Sequence, residues 1–167
     1  MRDDGLIRVG RRLSVAGAGL LALSLLLTWS HQLPPIERAR FPGPALFGIP
    51  AAPNAFQVYA SVGELFAVLS VGITAAGLRG RPGAVAVALT GTLIALAFTV
   101  RAILHAPTNG LLLALGRGGG AHYVSDPATP GSGETVALCG LVLAVAGLAL
   151  IGTAIRARRD PRHAARA

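Results

Sequence analysis

Four stretches of the chain are apolar and almost free of charge: residues 13–29, 56–78, 82–104 and 135–155. A helix needs about 20 such residues to cross a hydrocarbon layer about 30 Å thick, so each stretch is read as a membrane-spanning helix. The expected fold is all-α, a four-transmembrane-helix bundle forming a single integral membrane domain over residues 1–167. Two longer outer loops join the helices. Residues 31–55 carry Pro34, Pro35, Pro42, Pro44, Pro50 and Pro53, which fix φ and remove donors, so this segment should be an extended cap. Residues 105–134 hold a short apolar patch at 111–115, followed by Gly116-Arg117-Gly118-Gly119-Gly120. That order predicts a turn of interfacial helix and then a flexible hinge.

Composition agrees with the pattern, because 53% hydrophobic and 13% charged residues is too apolar for an ordinary water-soluble domain. The first segment follows Arg11 and Arg12, as a signal peptide would, but Leu27-Thr28-Trp29-Ser30 lacks the small-x-small cleavage pattern. It is read as a retained helix. All 15 basic residues are Arg, and the abundance of Ala, Gly, Leu and Pro suggests a GC-rich bacterial genome.

The arginines also orient the chain. Eleven flank one side of the bundle: Arg2, Arg8, Arg11 and Arg12 before the first helix, Arg79 and Arg81 in the second turn, and Arg156, Arg158, Arg159, Arg162 and Arg166 in the tail. Three, Arg38, Arg40 and Arg117, flank the other. The positive-inside rule then places both termini in the cytoplasm of a bacterial cell. The net charge of +8 lies beside hydrophobic segments without interleaved aromatics, which excludes nucleic acid and points to an anionic inner leaflet as partner.

Small residues recur where helices would meet: Ala16, Gly17, Ala18 and Gly19 in the first segment, and Gly72, Ala75 and Ala76 in the second. Gly91 and Ala95 serve the third, Gly140 and Ala144 the fourth. Lipid offers helices no hydrophobic reason to associate, so close approach at small side chains must hold the bundle together.

Candidate chemistry is confined to one polar cluster. Gln57, Ser61 and Glu64 recur at i, i+4 and i+7 in the second segment, and Arg101 and His105 at i and i+4 in the third. Glu64 stands within an otherwise uncharged run, and intramembrane carboxylates are costly enough to suggest function. Two readings follow: a polar pocket that binds a ligand or passes a proton, or a Glu64–Arg101 pair that locks two helices. His31, His105 and His122 lack ligand spacing for a metal, and the glycine run lacks the Gly-Lys-Ser/Thr of a phosphate loop. Cys139 stands alone, so no disulfide forms within the chain, and it reads as packing. No catalytic residue or cofactor is assigned.

Leu25-Leu26-Leu27-Thr28-Trp29 closing the first helix, Asn54-Ala55-Phe56-Gln57 opening the second, and a Gly/Pro-rich outer loop before a Gly/Ala-rich fourth helix resemble small uncharacterised four-helix membrane proteins of actinobacteria. The resemblance implies a fold and a compartment and carries over no functional residues. The expected function is therefore that of a non-enzymatic multi-pass membrane protein, accessory or structural, with a membrane-protein partner or a second copy of the chain beside it. The alternative is a small transporter or channel component that uses Glu64.

Overall fold

A computed structural model describes residues 2–31, 53–59, 61–105, 108–115, 121–127 and 129–159. Its long elements are helices α1 (Arg2–Ser24), α3 (Ser61–Arg79), α4 (Pro82–Leu104) and α5 (Ser132–Arg159), with a short α2 (Ala55–Tyr59) ahead of α3. Four strands lie in the connections: β1 (Ser30–His31), β2 (Thr108–Leu115), β3 (Ala121–Pro127) and β4 (Thr129–Pro130). Helices α3, α4 and α5 are long and apolar enough to cross a membrane. Helix α1 is different, because its first half carries Arg2, Asp3, Asp4, Arg8, Arg11 and Arg12.

Each boundary has a local cause. Gly80 adopts φ 61° and its amide donates to the Ala76 carbonyl at 2.9 Å, the left-handed cap for which glycine alone has no steric cost. Pro82 then opens α4 after an extended Arg81, where a missing N–H and a fixed φ suit a first turn. Helix α1 stops at Ser24, five residues before the expected end. There the amides of Leu25, Leu26 and Leu27 donate three residues back, Leu27 to the Ser24 carbonyl at 3.1 Å, and the Trp29 Nε1 folds back to share that carbonyl at 2.7 Å.

The second expected helix is broken. Asn54 and Gln57 form a reciprocal capping box, with each side-chain oxygen accepting from the other's backbone amide at 3.0 and 3.1 Å. In one straight helix Phe56 and Gly63 would stand about 10 Å apart along the axis. Instead, a Cβ built on Gly63 would lie 3.2 Å from the Phe56 Cα, so α2 folds back on α3 and the two axes are not collinear.

The reading of 111–115 as interfacial helix is also corrected. Those residues form β2, paired antiparallel with β3 in the register Leu111↔Ser125 to Leu115↔Ala121. A hairpin satisfies the backbone of both arms mutually, which one turn of helix cannot do. The extended cap expected at 31–55 and the glycine run at 116–120 fall largely or wholly outside the described residues.

The helices pack antiparallel around a ring, α1 against α3, α3 against α4, α4 against α5, and α5 against α1. Most intimate is the last pair. A Cβ built on Gly17 would stand 2.5 Å from the Gly140 carbonyl oxygen, one on Gly140 2.8 Å from that of Gly17, and one on Gly10 2.8 Å from that of Gly147. Ser14 and Ala144 fill the intervening turns, both fully buried. The Ser14 hydroxyl donates to the Gly10 carbonyl within its own helix, so the seam contains no orphaned donor. Leu21, Leu141, Leu148 and Ile151 extend it, and Asp4 pairs with Arg158 at its end.

Of the small residues read from the sequence, Gly17, Gly140 and Ala144 lie in this seam, whereas Gly72 faces nothing within 4 Å. The outward faces are apolar: Leu65, Val68, Val71, Val87 and Ile94 are all exposed. Cys139, expected to pack, is exposed as well.

Substituting Gly140 by Val should therefore force the α1 and α5 backbones apart and cost about 1–3 kcal/mol as overpacking. Gly72→Ala should be neutral or stabilise by about 0.5–1 kcal/mol, the helical advantage of Ala over Gly. Unfolding midpoints in mild detergent compare the two, and equal effects would show that backbone approach at the seam is not limiting.

Candidate functional site

The end of the bundle opposite the chain termini is tied together around Trp29. Its amide donates to the Pro53 carbonyl at 2.9 Å and its carbonyl accepts from Gly131 at 3.2 Å; the neighbouring Thr28 carbonyl accepts from Gly133 at 2.7 Å. Ser30–His31 pair antiparallel with Thr129–Pro130. One short segment thus joins the end of α1, the entry to α2 and the entry to α5. Gly131 and Gly133 permit this, since a side chain on either would strike the Thr28 backbone or the Trp29 ring. The indole, 1% exposed, lies edge-on to Tyr59 and Phe66 at 6.0 and 5.7 Å between centroids. Phe98 closes the circle against both of those rings, a geometry that adds to simple burial of the rings.

Glu134 is the ionisable side chain that this arrangement encloses. It sits in the first turn of α5 and is 1% exposed. Its Oε2 accepts from the Gly131 amide at 3.1 Å, the reach-back half of a capping box, favoured by the positive end of the helix. Its Oε1 is buried and has no hydrogen-bond partner among the described residues. The side chain can therefore take a proton or accept one further donor without releasing its cap. Small-x-x-Glu at Gly131-Ser132-Gly133-Glu134 is the sequence signal that marks such a cap; its burial is a tertiary feature, which no local pattern reveals.

The polar cluster expected from spacing is not assembled as one face. Gln57 caps α2, while Ser61 and Glu64 belong to the first turn of α3, so the break between those helices separates them. Glu64 shares its stripe with Val68 and Val71, both 69% exposed, and is itself exposed. Helix α4 meets α3 on another side, where Leu69 approaches Gly91, about 140° around the helix from position 64. Arg101 is exposed in the last turn of α4 and His105 is its exposed C-cap. Among the described residues no ion pair joins Glu64 to Arg101; the pair present is Asp4–Arg158.

Compared with protein-family models, curated proteins and solved structures, the chain matches none.

Glu134→Ala should lose about 1 kcal/mol, since the Gly131 amide gives up one of its two acceptors and keeps only the Trp29 carbonyl. Glu134→Gln keeps an oxygen for that amide but sets an NH2 where Oε1 has no partner, so its loss should differ from that of Ala. Equal losses for Ala and Gln in detergent unfolding would show that the cap is not what Glu134 contributes.

Proposed function

We propose that this chain is a non-enzymatic, multi-pass membrane protein with an accessory or structural role, docking on a partner membrane protein through the outward stripe of α3. One observation carries the reading: Glu64 faces outward with Val68 and Val71. A carboxylate on a lipid-facing stripe is costly unless something outside the helix meets it. The interior supports the same view. Its buried hydroxyls, Ser70, Thr92 and Thr99, each donate to a carbonyl one turn back, which leaves them engaged rather than offered to a permeant.

In this proposal α1 crosses as a fourth helix, its arginines at the inner surface, and both termini lie in the cytoplasm of a bacterial cell. The arginine count supports that orientation, and the Arg-rich tail meets anionic lipid. The likeness to four-helix actinobacterial membrane proteins agrees with the same arrangement.

Reporter fusions after Arg81 and after Ala167 should report cytoplasm, and fusions after Pro44 and Gly119 the exterior. An exterior C-terminus would overturn the orientation. For docking, a photo-crosslinking amino acid at Val68 in living cells should yield one stoichiometric protein adduct, lost on Glu64→Leu. Adducts with lipid alone would sink the docking surface, and an adduct only with a second copy of the chain would favour the small transporter or channel reading.

A further inference from the structure

At the terminal end of the bundle, an open groove of about 660 Å³ runs between α4 and α5. Pro82, Val85 and Leu89 form one wall, and Leu148, Gly152 and Ile155 the other. Arg156 stands at the rim and is exposed. The groove has almost no polar group to offer inside, because the hydroxyl of Thr153 on its lining is already bonded to the Leu150 carbonyl at 3.0 Å. From Leu148 to Arg156 it follows eight residues of α5, about 12 Å at the helical rise. That is close to the roughly 15 Å depth of one leaflet.

We propose that this groove is a binding site for one anionic phospholipid, with an acyl chain lying along Ala86, Leu89, Gly152 and Ile155 and the headgroup phosphate at Arg156. Two features select this occupant. An apolar trough one leaflet deep matches a single hydrocarbon chain, and a guanidinium at its mouth matches a phosphate by charge and by paired donors. Arg81, adjoining Pro82 on the opposite rim, is exposed too and adds positive potential at the same level. Gly152 keeps the trough open: a Cβ there would only touch Val85 at 3.9 Å, so the position can accept a side chain without disturbing the α1–α5 seam. The site rests on the membrane reading above and assigns the lipid to the cytoplasmic leaflet.

The test uses the full chain in mild detergent, titrated with phosphatidylglycerol or phosphatidylcholine and read by native mass spectrometry. Wild type should hold one phosphatidylglycerol at least fivefold more tightly than phosphatidylcholine, the preference expected of one arginine at a net anionic headgroup over a zwitterionic one whose phosphate is offset by choline. Arg156→Gln should remove the preference. Gly152→Leu should weaken both lipids by filling the trough, and Ala86→Leu, reaching in from α4, should do the same if Gly152→Leu fails to fold. Arg12→Gln, on exposed α1 surface, should change neither.

Unaltered binding in a folded trough-filling variant, or an equal loss with Arg12→Gln, would overturn the proposal. So would a wild-type dimer that Gly152→Leu converts to monomer, since the groove would then hold protein. If fusions place the C-terminus outside while the phosphatidylglycerol preference persists, the orientation fails and the lipid site stands.

Discussion

Backbone contact between α1 and α5 is the constraint on which the rest of the bundle depends. The two helices are held by dispersion over surfaces that approach closely, and only glycine lets carbonyls approach as they do at Gly17 and Gly140. The seam runs from Gly10 against Gly147 through Ser14 and Ala144 to Gly17 against Gly140. Because these helices lie at opposite ends of the sequence, that contact closes the ring that α3 and α4 complete. It also brings Asp4 and Arg158 together at one end and Trp29 and Glu134 into one cluster at the other.

The two ends of the seam are built on different chemistry. At the loop end, backbone bonds of Thr28 and Trp29 to Pro53, Gly131 and Gly133 hold the end of α1 and the entries to α2 and α5 in register. Gly131 and Gly133 admit the start of α5 close to Thr28 and the indole, and Glu134 in that first turn is buried. At the terminal end α4 and α5 instead border an apolar trough rimmed by arginine. A tight cap at one end and an open trough at the other suit a protein that presents surfaces to its surroundings, with its interior occupied by packing.

Sequence by itself determined the apolar character of the helices, the Gly80–Pro82 turn and the start and end of α4, which agree with residues 82–104. These features are local: each depends on side chains within a turn or two, so spacing and composition carry them. The small residues of the seam were visible in the same way, although the pattern could not separate Gly17 and Gly140, which touch backbone, from Gly72, which faces open space.

Tertiary structure alone decided the rest. Whether Glu64 meets Arg101 depends on how α3 and α4 are rotated, and a rotation of about 100° per residue is invisible to a pattern of depth. The early stop of α1, the break before α3 and the hairpin at 108–127 all arise where a distant or folded-back group supplies a better partner than the next helical turn. Glu134 shows the point most plainly. Its cap can be read from four consecutive residues, but the start of α5 that carries it is bonded to Thr28 and Trp29, more than a hundred positions away in sequence and brought there only when α1 and α5 close upon each other.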